Sequence, residues 1–289
     1  MKMSLAHPVI WRGRPRPRGG AALAGAALAF ALALAQPAWP ACGVAAGTAK
    51  VAEVTERLEI RLEDGRLVRL AGLDVPDMRR GAPETAANAR AFLERRLAGR
   101  EVALVAFAAR PDRWGRLLAD LSVPEPAGGA ASAASRLLLS QGFARVRPEF
   151  ETRGCVAERL AAESKARAAG LGLWNDPDYS ILEATDVEEL AERDGRFVLV
   201  EGIVRRVGVG RARLYLDFGG RDGFTVVVAR KSQTAFQNAG VPFNALAGEK
   251  IRVRGVLDDR FGPRLEIAEP LMVERLGRAE ANEGTKPGG

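Results

Sequence analysis

The stretch VRLAGLDVPD, residues 68–77, changes character halfway along. Val68, Leu70 and Leu73 are set around Arg69 as in a strand, and Asp74, Pro76 and Asp77 then end that strand in a turn. A guanidinium and two carboxylates around one turn can hold a metal beside a phosphate, or can simply cap the turn. The surrounding sequence has to decide between them.

Upstream, LEIRL (58–62) and LVRLAGL (67–73) flank the tripeptide DGR (64–66), which predicts a hairpin. Downstream, APETAANARAFLERRLAGR (82–100) switches to helical spacing. Ala86, Ala89, Phe92, Leu93 and Leu97 share one face, and Gly99 stops it. EVALVAFAA (101–109) and the end of DRWGRLLADLSV (112–123) return to strand, and RLLLSQGFARV (136–146) and CVAERLAAESKARAAGLGLW (155–174) read as two helices. This order predicts a mainly β, α+β fold in which a five-stranded barrel carries packed helices.

After NDPD (175–178) and the acidic run DVEELAERDG (186–195), a second strand-rich block begins. FVLVEGIVRRV, ARLYLDFG, FTVVVA and EKIRVRGVL read as strands, with a short helix near 232–239 before the fourth, and RLEIAEPLMVERL reads as a fifth. Five strands with a helix before the fourth predict a second, smaller OB-like barrel. The expected domains are a signal peptide at 1–41, a first barrel at 42–178, a second at 179–276 and a disordered tail at 277–289.

The leader has a basic front (Lys2, Arg12, Arg14, Arg16, Arg18), the apolar run AALAGAALAFALALA (21–35) and an A-x-A site at Ala33–Ala35. The alternative is an uncleaved anchor, but the run is shorter than the ~20 residues a membrane-crossing helix needs. The reading is therefore export to the periplasm or beyond, with no stable membrane insertion once the leader is gone. Loss of the leader lowers Lys plus Arg from 43 to 38 against 36 acids, so the net charge drops from +7 to +2. Attraction for phosphate must then come from a local site. The only histidine, His7, leaves with the leader, which excludes Ser-His-Asp and Cys-His catalysis and histidine-ligated zinc in the mature chain.

Cys42 and Cys155 both follow the leader, and a pair of cysteines in an exported chain predicts a disulfide across a long loop. The competing reading lipidates Cys42, but WPAC places Trp39 where a lipobox carries leucine.

Three stretches together resemble the thermonuclease, or staphylococcal-nuclease-like, family. VRLAGLDVPD is similar to the family pattern R-L-x-G-I-D-A/T-P-E, DRWGR (112–116) to D-K/R-Y/W-G-R, and AGLGLW (169–174) to its closing segment. The resemblance covers about residues 50–175. It implies an OB-fold barrel that binds one calcium ion and cleaves DNA or RNA phosphodiesters by in-line attack of water. By the same resemblance, Arg69 and Arg116 are catalytic and contact the phosphate, Asp74 and the Val75 carbonyl bind the metal, and Asp77 replaces a glutamate beside the attacking water. A guanidinium fork does match two phosphate oxygens.

Two departures weaken the implied calcium site. The family's D-G-D-T falls on Glu56, Arg57, Leu58 and Glu59, so a ligand aspartate has become Leu58, and strand alternation would turn Glu59 away from it. Asp77 is one methylene shorter than glutamate. These changes predict calcium that is bound weakly or not at all. Trp114 either stacks on a base or covers the barrel end. In the second block, Arg205, Arg206, Arg211 and Arg213 lie close to one hairpin, and Arg252 and Arg254 lie on another strand, as a groove tracking a nucleic-acid backbone would need. Yet residues 185–289 hold 17 bases and 16 acids, which favours a protein-binding module. GVGRAR (208–213) has a bare GxG outside any βα unit and reads as a hairpin. The resulting function is a nucleic-acid or phosphate-binding protein of nuclease descent with weak or lost calcium-dependent phosphodiesterase activity. The alternatives are an active nuclease with rearranged metal ligation and an envelope interaction module.

Overall fold

The computed structural model describes residues 42–77, 82–123, 131–220 and 222–278. The expected leader at 1–41 and residues 279–289 of the expected tail lie outside these, whereas Gly277 and Arg278, expected in that disordered tail, belong to the last strand, which pairs antiparallel with Glu249 and Lys250. The first strand-rich part contains β1 (Val44–Val54), β2 (Ile60–Leu62), β3 (Leu67–Leu70), β4 (Leu73–Asp74), α1 (Pro83–Leu97), β5 (Glu101–Ala106), β6 (Arg116–Val123), β7 (Ser132–Ala133), α2 (Ala134–Ser140), β8 (Arg145–Val146) and α3 (Val156–Ala168). Strands β3, β2, β1, β5 and β6 hydrogen-bond in that order, and a parallel β3–β6 pairing closes them into a five-stranded barrel. The inward alternation of Val51, Ile60, Leu62, Val68, Leu70, Val102, Leu104 and Leu121 fills it. Helix α1 starts on Pro83, which lacks the N–H that a first helical turn cannot bond, and its buried Ala89, Leu93 and Leu97 pack on the barrel.

The second part contains β9 (Leu182–Glu183), α4 (Val187–Ala191), β10 (Phe197–Ile203), β11 (Arg206–Val209), β12 (Arg213–Asp217), β13 (Thr225–Ala229), α5 (Gln233–Asn238), β14 (Glu249–Asp258), β15 (Arg264–Ile267) and β16 (Val273–Arg278). Its order is β11-β12-β13-β15-β14-β10-β9, with β16 on β14 and a parallel β13–β15 pair. Leu214, Leu216, Phe218, Phe224, Val226, Ile251, Val253 and Leu265 form its core.

Four local expectations give way to packing. The segment 136–146 is not one helix: α2 ends at Ser140 and Gly142 (φ +70°) reverses the chain against the Leu171 carbonyl, where any Cβ would collide. The Leu173 N–H donates to the Gly142 carbonyl at 2.8 Å, so the GLGLW segment locks this turn and frees residues 145–146 to become a strand. FVLVEGIVRRV splits after Ile203, because β10 pairs with β14 whereas β11 pairs with β12. RLEIAEPLMVERL splits at Pro270, which has no N–H for a ladder. Residues 56–59 are a turn rather than a strand, and Leu58 takes φ +58°, so alternation does not govern Glu59.

Arg252 and Arg254 are not a nucleic-acid groove. Arg254 is fully buried and donates to Glu163 of α3 (3.0 Å to each carboxylate oxygen), to the Val146 carbonyl (2.8 Å) and to Glu274. Arg252 pairs with Glu201 and Glu274. These contacts tie β14 of the second part to β8 and α3 of the first.

Cys42 and Cys155 form a disulfide with Cα atoms 5.1 Å apart and a sequence separation of 113. It ties the start of β1 to the start of α3. Alkylation of the unreduced protein followed by intact mass measurement is expected to find no modified thiol. Two alkylated cysteines, or a lipid on Cys42, would refute the cross-link. Among the described residues, no helix is long and apolar enough to cross a membrane.

Candidate functional site

One cavity of about 490 Å³ opens where β3, the 56–59 turn and the 112–116 turn meet. Arg57, Leu58, Glu59, Arg69, Asp74, Val75, Asp112, Trp114, Arg116, Arg147 and Glu149 all line it. Arg69 and Arg116 converge because their strands are parallel neighbours: Leu67 pairs with Arg116, and Arg69 with Leu118. Asp74 follows after Gly72 (φ +77°), whose missing side chain admits Arg159 and Thr152. Arg159 donates to the Ala71 carbonyl at 2.7 Å and to buried Asp120 at 3.0 Å, fixing the turn between Arg69 and Asp74.

Both expected phosphate arginines carry carboxylates. Arg69 makes a two-point fork with Glu149, at 2.8 and 2.9 Å. Arg116 donates to Glu59 at 2.6 Å and to Asp112 at 2.7 and 2.9 Å. Burial opposes its charge, but the hydrogen bonds it donates to Asp112 and Glu59 prevail and raise the Arg116 pKa. Desolvation likewise pulls Asp112 upward, yet the hydrogen bonds it accepts from Arg116 hold it below the ordinary carboxylate value. Arg57 and Arg147 also line the cavity, and among the described residues neither makes an ion pair. They are the cations first available to an incoming anion.

Trp114 is 62% exposed and does not seal the barrel end. The guanidiniums of Arg113 and Arg116 lie 3.9 and 4.7 Å from its ring centre, which orients the indole at the cavity mouth. Asp77 is exposed and is not among the residues lining the cavity.

The residues present do not fit a calcium ion. Strand β4 pairs with β8 so that Asp74 lies directly opposite Arg145, and Arg145 holds its Oδ2 with two hydrogen bonds, at 2.7 and 3.0 Å. Arg145 is itself fixed by the Phe197 carbonyl at 2.6 Å and stacks 4.7 Å from the Tyr179 ring. Leu58 is 2% exposed and belongs to the core. Val75 lines the cavity but offers only a neutral carbonyl. Among the described residues, no group of three or more His, Cys, Asp or Glu side chains is placed to hold a metal, whereas calcium takes six to eight oxygens.

Sequence reasoning missed Arg145, Arg147 and Glu149. Their signal is the alternation in RVRPE (145–149), whose first two residues are absorbed into the end of the helix expected at 136–146.

Residues 67–176 match the family model described as Staphylococcal nuclease homologue. No curated protein matches the chain.

Proposed function

We propose, from the premise that residues 67–176 are a staphylococcal nuclease-like domain, that this domain binds the phosphodiester backbone of a nucleic acid and has little or no calcium-dependent cleavage activity. The observation carrying the reading is a single cavity with four guanidiniums, those of Arg57, Arg69, Arg116 and Arg147, beside an exposed indole. Arg57 and Arg147 meet the phosphate first, and Arg69 and Arg116 engage it to the extent that it competes with Glu149 and Glu59. Trp114 offers a face for a base. The pairing of Asp74 with Arg145 supports the loss of calcium dependence, because the expected ligand is already neutralised. We also infer export, supported by the leader's pattern and by a disulfide that begins at residue 42.

The test is calorimetric titration of the unreduced protein with a deoxynucleoside bisphosphate, beside cleavage of single-stranded DNA with calcium or chelator. Binding is expected to weaken about tenfold or more in Arg147→Ala, and by a similar factor in Arg57→Ala, as for loss of one charge-assisted contact. Arg95→Ala, on an exposed part of α1, should have no effect. Calcium-stimulated cleavage abolished by chelator would establish the active-nuclease alternative. Absence of both binding and cleavage would leave an interaction module.

A further inference from the structure

The second strand-rich part has an aromatic cavity of its own, of about 460 Å³, on the outer face of β11, β12 and β13. Along β12, Leu214 and Leu216 point into the core, leaving Arg213, Tyr215 and Asp217 on the outer face. Tyr215 lies directly opposite Gly208 of β11. A Cβ on Gly208 would sit 3.4 Å from that of Tyr215, and one on Gly210 would sit 3.3 Å from the tyrosine ring. Side chains at 208 and 210 would therefore cover the ring, and the two glycines of the GVG segment leave it open to the cavity. The GxG is thus more than a hairpin signature.

The loop after β14 supplies a second ring. Phe261 is 82% exposed, and its loop is held in place. Asp258 accepts from the Arg260 N–H at 3.0 Å, from the Arg260 side chain at 2.9 and 3.0 Å and from Arg264 at 2.9 Å. Gly262 turns the chain at φ +86°, and the Arg264 guanidinium lies 5.1 Å from the Phe261 ring centre. The loop thus presents an exposed phenyl ring at the edge of the same cavity that Tyr215 lines.

The charges indicate what fits there. Among the residues lining the cavity, Arg206 and Arg264 are balanced by Asp217 and Asp222; Arg206 pairs with Asp217 and Arg264 with Asp258 at the end of β14, so the floor is near neutral. The β11–β12 hairpin nonetheless carries Arg206, Arg211 and Arg213 with no acid between them, and among the described residues Arg211 makes no ion pair. Two aromatic faces on a neutral floor suit an uncharged planar ring, and the flanking arginines suit phosphates. We infer that this face binds single-stranded nucleic acid, with a base stacked on Tyr215 and Phe261 and the backbone running along the β11–β12 hairpin. The inference goes beyond the proposal for the first domain and stands on different residues.

The experiment uses the whole unreduced protein, a fluorescent dodecamer of thymidylate and an abasic dodecamer of the same charge, read by anisotropy at low salt. Phe261→Ala and Gly208→Val are expected each to weaken the thymidylate strand about five- to tenfold, a change within the range for one lost stacking contact. Neither should change binding of the abasic strand. Gly208→Val keeps every charge and places a β-branched residue in a strand, so loss of binding with an unchanged melting temperature reports the covered tyrosine ring. Photocrosslinking of a 5-iodouracil dodecamer is expected to label the peptide containing Tyr215 or Phe261. Unchanged thymidylate affinity in both variants, an equal loss on the abasic strand, or thymidine monophosphate competing as well as the dodecamer would each overturn the inference. Arg147→Ala separates the two sites: if it is silent while Phe261→Ala is not, the first-domain proposal fails and this one stands.

Discussion

Replacing Glu163 by alanine is expected to destabilise the protein by about 3–5 kcal/mol, the usual cost of removing one partner from a buried ion pair. Glu163 and Arg254 are both fully buried. Without Glu163 the Arg254 guanidinium keeps only Glu274 and the Val146 carbonyl, and the Val146 N–H loses the carboxylate it donates to at 2.5 Å. The same carboxylate also holds Arg167 at 3.1 Å. Because Arg254 belongs to β14 and Glu163 to α3, the damage falls on the contact between the two strand-rich parts. Denaturant unfolding of the wild type is expected to be one transition and that of Glu163→Ala to separate into two.

A second variant distinguishes the pair from its geometry. Glu163→Leu combined with Arg254→Met is expected to recover part of the loss, since two apolar groups leave no fully buried charge behind, while the Val146 N–H and carbonyl lose their partners. A cost below about 1 kcal/mol for Glu163→Ala would show that Glu274 alone suffices for Arg254. The functional consequence follows from position. Val146 separates Arg145, which holds Asp74, from Arg147, which faces the cavity. Loosening β8 should therefore weaken bisphosphate binding even though Glu163 does not touch the site.

The sequence made the first barrel readable because its signals are local. One ten-residue stretch contains Arg69, Asp74 and the intervening turn, and the DRWGR segment contains Asp112, Trp114 and Arg116. The structure brings all five to one cavity. What stayed hidden was the identity of partners about 70 to 90 residues away. Nothing near Asp74 announces Arg145, and nothing near Arg69 announces Glu149, because cross-strand neighbours are set by a register that one sequence does not reveal. The helix pattern of RLLLS also ran on into GFARV, and only the backbone contact of Gly142 with Leu171 and Leu173 stops it. Arg254 misled in the opposite direction. A strand arginine among alternating residues looks exposed, but here both faces of its strand are covered.

Building a calcium site at Asp74 is expected to need two changes, neither of which works alone. The sequence points to Leu58→Asp, since the resemblance places a ligand aspartate there. Yet Leu58 is 2% exposed in the barrel core, so a lone aspartate would bury a carboxylate at a cost of several kcal/mol. Relief of the positive φ, which aspartate tolerates better than leucine, offsets only part of that. The new carboxylate would also face an Asp74 still held by Arg145. Arg145→Gln alone frees Asp74 and keeps a donor for the Phe197 carbonyl, but it leaves a single anionic ligand. Together the two substitutions give two carboxylates and remove the competing cation. Calcium affinity is expected to rise about a hundredfold or more over either single variant, within the range that ligand charge commands. Calorimetric titration measures it directly. As an independent reading, calcium at about a hundred times the dissociation constant should stabilise only the double variant, by about 2.7 kcal/mol. Cleavage of single-stranded DNA is not expected to follow, because Asp77 is exposed and does not line the cavity. Tight calcium binding by the wild type, or an equal gain from Leu58→Asp alone, would mean that Arg145 releases Asp74 readily and that the ion pair is not what keeps the metal out.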